Sequence, residues 1–229
     1  MSPTFDPERV DAVTFDSYGT LVDTGAAATV LEGVVDDPAT VAREWRENAL
    51  FFSVVAGPLD EYETYMQLHR LGLADALRAA GHDPSPERLR ELNAVYHDLA
   101  PYDDVAAAVA RLDTAGYAPS ILSNGNPEML ASLVETTGIE DAVHERISAD
   151  TVRTFKPASA LYEHAADRLG VRPDRVAHVT AHWMDVQGAA NAGMQGVWLN
   201  RGGEEWTAFG DEPAAVVDSL DALCARLLD

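Results

Sequence analysis

The sequence predicts an α/β fold: a Rossmann-like, doubly wound parallel sheet with a helical segment inserted after its first strand. Three features point there. From residue 101 onward, short apolar runs alternate with helical patterns, the order that builds parallel sheets. Between residues 26 and 99 the apolar spacing is helical, with no strand pattern. Polar residues close several of the predicted strands, on the edge where open sheets of this class bind ligands. At 229 residues, 47% of them hydrophobic, the chain suits one core domain with an inserted module.

Taken in order, Val10–Phe15 is an apolar run bounded by turn residues and reads as a buried first strand. It leads into Asp16-Ser17-Tyr18-Gly19-Thr20. An aspartate at a strand end can turn its carboxylate into the crevice, and Gly19 lets the chain turn sharply, offering N–H groups near Ser17 and Tyr18 to an anion. In the insertion, Trp45, Ala49, Leu50 and Phe52 recur at helical spacings, and Tyr62, Tyr65, Met66, His69 and Leu73 mark a second helix. Asp83-Pro84-Ser85-Pro86-Glu87 is a helix start. Asp103 or Asp104 caps a helix whose Val105, Val109 and Leu112 share a face.

Ala118–Leu122 is the next strand, ending at Ser123-Asn124-Gly125, and Asn126-Pro127-Glu128 opens a helix with a capping residue and proline at the first helical position. The loop Thr154-Phe155-Lys156-Pro157 precedes a helix bearing Leu161, Ala165 and Leu169. Arg175–Thr180 is a strand followed by a helix from about Asp185; Gly196–Leu199 and Ala215–Val217 are short strands, and a helix closes the chain. Cys224, the single cysteine, lies beside Leu220, Leu223 and Leu227 on that last helix and reads as a packed thiol. Residues 1–22 and 101–229 are therefore expected to form the core domain, and residues 23–100 the helical insertion.

The formal charge is −22, from 38 acids against 16 Lys and Arg. Such self-repulsion destabilises a compact state at low salt. At molar ionic strength the Debye length falls to roughly 3 Å and most of it is screened. A salt-accumulating cytoplasm is the expected setting, and a lone cysteine fits its reducing conditions. No apolar run reaches membrane-spanning length, and Met1–Asp6 lacks a basic region before an apolar core, so neither a membrane span nor a signal peptide is expected. The acids are scattered and no basic stripe exists, which argues against nucleic acid as a partner.

Four polar features follow strands or loops on one side of the predicted sheet: Asp16, Ser123-Asn124, Lys156 and Asp185. Asp16 can act as a carboxylate nucleophile. Lys156 is the only lysine in a chain that otherwise uses arginine. It is the natural counter-cation for two carboxylates, and a compact ammonium at a crowded site is not replaced by a guanidinium without cost. Ser123 and Asn124 supply a hydroxyl, an amide and backbone N–H groups for an anion.

These motifs, with Phe15 to Leu21, Trp45-Arg46, Leu99-Ala100-Pro101-Tyr102, Phe155-Lys156-Pro157, Tyr162 and Gly188-Ala189, resemble the haloacid dehalogenase superfamily and, within it, the L-2-haloacid dehalogenases. The resemblance implies a Rossmann-like core with a helical cap inserted after the first strand. It implies Asp16 as nucleophile, with Thr20 orienting it, and Arg46 and Asn124 receiving the halide. Ser17, Tyr18 and Ser123 would hold the substrate carboxylate, Tyr65 would line the halide pocket, Tyr162 would be an active-site tyrosine, and Asp185 with Lys156 would assist ester hydrolysis. Read from the residues alone, Thr20 is equally a structural turn threonine, Arg46 a solvated helix arginine, and Tyr65 and Tyr162 packing residues. The family's Ser-Ser-Asn before the last aspartate is replaced by Thr180-Ala181-His182. Thr180 keeps a hydroxyl; His182 either contacts substrate, tunes Asp185 as a neighbouring charge, or fills space in the loop.

A short 2-haloacid is thus the expected substrate, with no cofactor or resident metal, and the family implies a homodimer. Phosphatases of the superfamily place a second acid where Tyr18 stands, to protonate the leaving alkoxide. A halide needs no proton, so the phenol favours carbon–halogen cleavage. A magnesium-dependent phosphatase with an altered acid, and a non-catalytic binding protein that kept the pocket, are the alternatives.

Overall fold

The structure, a computed structural model, describes residues 4–229. Six strands form one all-parallel sheet of order β3-β2-β1-β4-β5-β6: β1 (Ala12–Phe15), β2 (Ser120–Ser123), β3 (Glu145–Ser148), β4 (Val176–Thr180), β5 (Gln195–Leu199) and β6 (Ala215–Val217). Every residue of β1, β2, β4 and β5 is buried, as expected when helices cover both faces of a parallel sheet. From β1 the chain runs outward through β2 and β3, then crosses back to β4 on the other side. The strand order therefore reverses beside β1, the position at which sheets of this kind open a ligand crevice.

Five helices lie between β1 and β2, and the first four form the insertion: α1 (Ala26–Thr29), α2 (Pro38–Leu59), α3 (Tyr65–Ala79) and α4 (Pro86–Asn93). Asp37, Thr64 and Ser85 cap α2, α3 and α4 by accepting from the N–H of Thr40, Gln67 and Arg88. α2 and α3 pack so closely at Gly72 that a Cβ there would lie 2.9 Å from both Ala49 N and Trp45 O. Buried Trp45 joins the same contact by donating its indole N–H to His69 O at 2.7 Å. The chain segments leading into and out of this insertion run side by side, Asp23 N–H bonding Ala100 O (2.8 Å) and Tyr102 N–H bonding Leu21 O (3.1 Å).

The remaining helices, α5 (Val105–Thr114), α6 (Pro127–Thr137), α7 (Ser159–Leu169), α8 (Trp183–Asn191) and α9 (Leu220–Leu228), flank the sheet. Among the described residues no helix is long and apolar enough to cross a membrane. Cys224 is buried against Ala108.

Some expectations differ in detail. β3 has no counterpart in the sequence reading, because Glu145 and Arg146 give this edge strand a polar start. Tyr62 precedes α3 instead of lying on it. α8 starts at Trp183, ahead of Asp185. Asp104 and Asn126 occupy N-cap positions but do not cap with their side chains. Asp104 takes two bonds from Arg201 (2.8 Å each) and one from Leu220 N (2.8 Å), while Asn126 Oδ1 takes Met66 N–H (3.2 Å). Both side chains are used to join distant segments.

Candidate active site

Parallel pairing of β1 with β2 and β4 brings the ends of these strands to one edge, where Asp16, Ser123 and Thr180 emerge together. Asp16 is 7% exposed. Its Oδ1 accepts from Lys156 Nζ at 3.0 Å and its Oδ2 from Thr20 Oγ1 at 3.1 Å. Lys156 Nζ also donates to Asp185 Oδ2 at 2.8 Å, so one buried ammonium bridges two carboxylates. Asp185 Oδ1 accepts from Tyr162 Oη (2.7 Å) and from His178 Nε2 (2.9 Å). The backbone N–H of Lys156 bonds Asn124 Oδ1 at 2.9 Å, which leaves the amide NH2 of Asn124 as the end available to the cavity.

Burial of this cluster works against its charges, and the partners overrule it. Burial opposes the charge of Lys156, but Asp16 and Asp185 raise its pKa above the ordinary lysine value, so it stays an ammonium. Burial likewise opposes the charge of Asp185, yet His178 and Lys156 hold its carboxyl well below the usual carboxylate range. Burial first, then Tyr65, Tyr96 and Asp16, push the Tyr18 phenol well above its ordinary value. That side chain stays protonated at any working pH.

A cavity of about 440 Å³ opens on Asp16, in the range of small-molecule sites. Asn124, Lys156 and Asp185 line it from the sheet side, and Arg46, Leu50 and Tyr65 from the helical insertion. Arg46 is held by a bond from its Nη1 to Thr24 Oγ1 at 2.7 Å. Tyr18 packs against Tyr96 (ring centroids 5.7 Å) and Tyr65 (6.5 Å), making an aromatic wall between insertion and sheet. His69 is buried in that wall, and burial, aided by Arg46, lowers its pKa to about 3, so it is neutral.

A profile of haloacid dehalogenase-like hydrolases matches residues 10–193, spanning β1 to β4, the insertion and the whole cluster. The chain belongs to the haloacid dehalogenase-like hydrolase family. Curated relatives agree. The chain is 33% identical over 197 residues to (S)-2-haloacid dehalogenase 4A of Burkholderia cepacia, covering 86% of this chain and 85% of that one. It is 34% identical over 186 residues to the (S)-2-haloacid dehalogenase of Xanthobacter autotrophicus, covering 81% and 73%. Among solved structures, a dehalogenase with 31% identity superposes with a TM-score of 0.90 over 96% of this chain and 98% of that one. The L-2-haloacid dehalogenase of Xanthobacter autotrophicus with chloropropionic acid covalently bound gives 0.90 at 28% identity, over 96% and 100%.

Of the residues expected from sequence at this family site, Asp16, Tyr18, Arg46, Tyr65, Ser123, Asn124, Lys156, His182 and Asp185 all line the cavity. Ser17, Thr20, Thr180 and Tyr162 are not among its lining residues, which sets the Thr180 and Tyr162 side chains behind the wall; the part expected of Ser17 is that of its backbone N–H. Ser17 Oγ is spent on Ser123 Oγ at 2.6 Å. Thr180 Oγ1 accepts from His182 N at 3.1 Å, and Tyr162 sits behind Asp185. Thr20 orients Asp16 and also accepts from Ala181 N at 3.0 Å, tying the turn after β1 to the loop after β4. His182 donates from Nε2 to Tyr18 O at 3.0 Å, closing over Gly19, where a Cβ would lie 3.4 Å from that nitrogen. Gly19 has φ of +81°, a conformation its neighbours could not adopt without strain. Sequence reasoning missed Arg43 and Glu47, which line the cavity beside Arg46 and Leu50. Helical spacing along α2 was the available signal. It also missed His178, which gave no signal apart from its place in a strand.

Proposed function

We propose that the chain hydrolyses the carbon–halogen bond of 2-haloalkanoic acids, yielding 2-hydroxy acids through an ester on Asp16. One observation carries this reading over the phosphatase alternative. The oxygens a magnesium ion would need in a phosphatase of this superfamily, on Asp16, Asp185 and the Tyr18 carbonyl, are all engaged by protein donors. Asp185 Oδ1 has both its lone pairs occupied. Tyr18 supplies a phenol of raised pKa where an alkoxide would need an acid. Relatives named as (S)-2-haloacid dehalogenases, and one solved with chloropropionic acid covalently bound, support the same chemistry.

In this mechanism an Asp16 oxygen attacks C2 of the substrate and inverts it, the electron pair of the C–halogen bond leaving with the halide. Arg46 and the Asn124 amide receive the halide. Backbone N–H groups near Ser17 and Tyr18, with Ser123 beside them, hold the substrate carboxylate. Lys156 holds Asp16 in line by charge and does not act as a base, since it stays protonated. Water then opens the ester with Asp185 and Lys156 assisting. Residues 23–100 serve as a cap whose Arg46, Leu50 and Tyr65 exclude water from the reacting atoms.

The test is bromide release from L-2-bromopropionate in concentrated potassium salt, with and without a chelator, alongside an aryl phosphate. Chelator-insensitive bromide release supports the reading; magnesium-dependent phosphate release without bromide overturns it. The same reading sets the protein in a salt-rich cytoplasm, supported by its charge of −22. A homodimer goes with it, to be checked by sedimentation.

A further inference from the structure

β1 and β4 pair in a register that sets Thr14 opposite His178. His178 is fully buried in the centre of the sheet, beneath the cavity. Its Nδ1 is 2.9 Å from Thr14 Oγ1 and its Nε2 is 2.9 Å from Asp185 Oδ1. An ionised carboxylate only accepts, so Nε2 carries a hydrogen. Nδ1 pairs with the Thr14 hydroxyl, which can donate or accept, and the threonine fixes the ring orientation. The His178 ring also meets Tyr162 edge-on, with centroids 5.7 Å apart, so the two donors to Asp185 Oδ1 brace each other. A buried histidine in a sheet needs only a satisfied neighbour. This one spends its inward nitrogen on a hydroxyl of the adjacent strand and its outward one on the site carboxylate.

With Oδ1 filled by Tyr162 and His178, the free lone pair of Asp185 lies on Oδ2, beside Lys156. We propose that His178 is a positioning residue. It pins Oδ1 into the core so that Oδ2 meets the water that opens the aspartyl ester, and Thr14 holds the ring. This inference rests on Asp16 being the nucleophile. In ester formation, Asp16 oxygen bonds C2, the halide departs with its electron pair, and Asp185 takes no part. In hydrolysis, water oxygen bonds Asp16 Cγ while one water proton passes to Asp185 Oδ2. The bond from Cγ to the alkyl oxygen then breaks, and the departing alkoxide takes that proton to give the 2-hydroxy acid. The second water proton, left on Asp16, is lost to solvent. His178 therefore acts on the second half of the reaction alone.

Rapid-quench kinetics of His178→Phe with L-2-bromopropionate separates the halves. The expected result is a burst of one bromide per site at the wild-type rate. Steady turnover is then slower by about ten- to a hundredfold, as for loss of a hydrogen bond to a charged group. The enzyme carries the mass of the ester during turnover. His178→Gln, whose side-chain N–H reaches toward Asp185, restores most of the rate. The proposal is overturned if folded His178→Phe hydrolyses its ester normally, if ester formation slows equally, or if Gln rescues no better than Phe. Should His178→Phe not fold, Thr14→Val, which keeps the shape and removes the hydroxyl, decides by the same reading: ester accumulation supports the role and normal hydrolysis overturns it. Absence of bromide from the wild-type protein is a different result, which removes the dehalogenase reading and this inference with it.

Discussion

Replacing Lys156 with methionine keeps the length of the side chain and removes the charge that Asp16 and Asp185 share. Nζ lies 3.0 Å from one carboxylate and 2.8 Å from the other, with the three side chains 6%, 10% and 6% exposed. These side chains are nearly closed to solvent, so water replaces the lost cation only in part. Removing one member of a buried ion pair costs about 3–5 kcal/mol, because the partner charges stay buried without compensation. For a chain of this size each kcal/mol moves the melting temperature by about 2–4 °C, so Lys156→Met should melt ~6–20 °C below wild type. Arg88→Met is the control: it makes the same change in net charge at a pair whose side chains are 47% and 57% exposed. Exposed pairs contribute about 0.2–1 kcal/mol, so this variant should shift by a few degrees at most. The assay is thermal unfolding in concentrated potassium salt, followed by circular dichroism. Adding Asp16→Asn to Lys156→Met removes one of the stranded charges and should recover part of the loss. A Lys156→Met melt within the range of the control, or no recovery in the double variant, refutes the reasoning.

Three further outcomes follow from the same geometry. His69 has a folded pKa of about 3 against 6.5 for the free side chain, so only the unfolded chain takes up its proton between those values. Stability is then fully present above pH 6.5 and falls by about 1.4 kcal/mol per unit below it, and urea midpoints of wild type and His69→Phe between pH 6.5 and 5 should show the slope only in the wild type. The folded value of Asp185 is depressed and that of Lys156 raised, so their contribution holds above the unfolded carboxylate value and is lost on further acidification; it also holds below the unfolded lysine value and is lost at higher pH. Gly188→Ala puts a Cβ into overlap with Tyr162 Oη and 2.8 Å from Pro157 Cβ, so it should destabilise by about 1–3 kcal/mol in urea unfolding and slow turnover by displacing Tyr162 from Asp185.

The cluster of Asp16, Lys156 and Asp185 was legible because its charged residues follow strands and a loop on one side of the sheet. Asp16 follows a buried run, and Lys156 is a lone lysine among arginines, so both stood out without structural help. Depth was not legible. Ser17, Thr180 and Tyr162 belong to the right segments, but sequence does not say which side of the cavity wall a side chain occupies. Their hydrogen bonds to Ser123, His182 and Asp185 put them behind it. His178 was invisible for a related reason. Within β4 it reads as any buried strand residue, and its partners come from β1 and α8, so only the register reveals them. β3 escaped because an edge strand bearing Glu145 and Arg146 lacks the apolar run that announces a central one.

In the proposed chemistry Asp16, and not water, forms the first bond to carbon. A single turnover in water enriched in oxygen-18, with enzyme in excess over L-2-bromopropionate, tests it directly. The nucleophilic oxygen ends in the product and the water oxygen ends in the enzyme. Mass spectrometry should therefore find the label in the peptide containing Asp16, with the 2-hydroxy acid unlabelled. Label in the hydroxy acid and none at Asp16 would contradict the account.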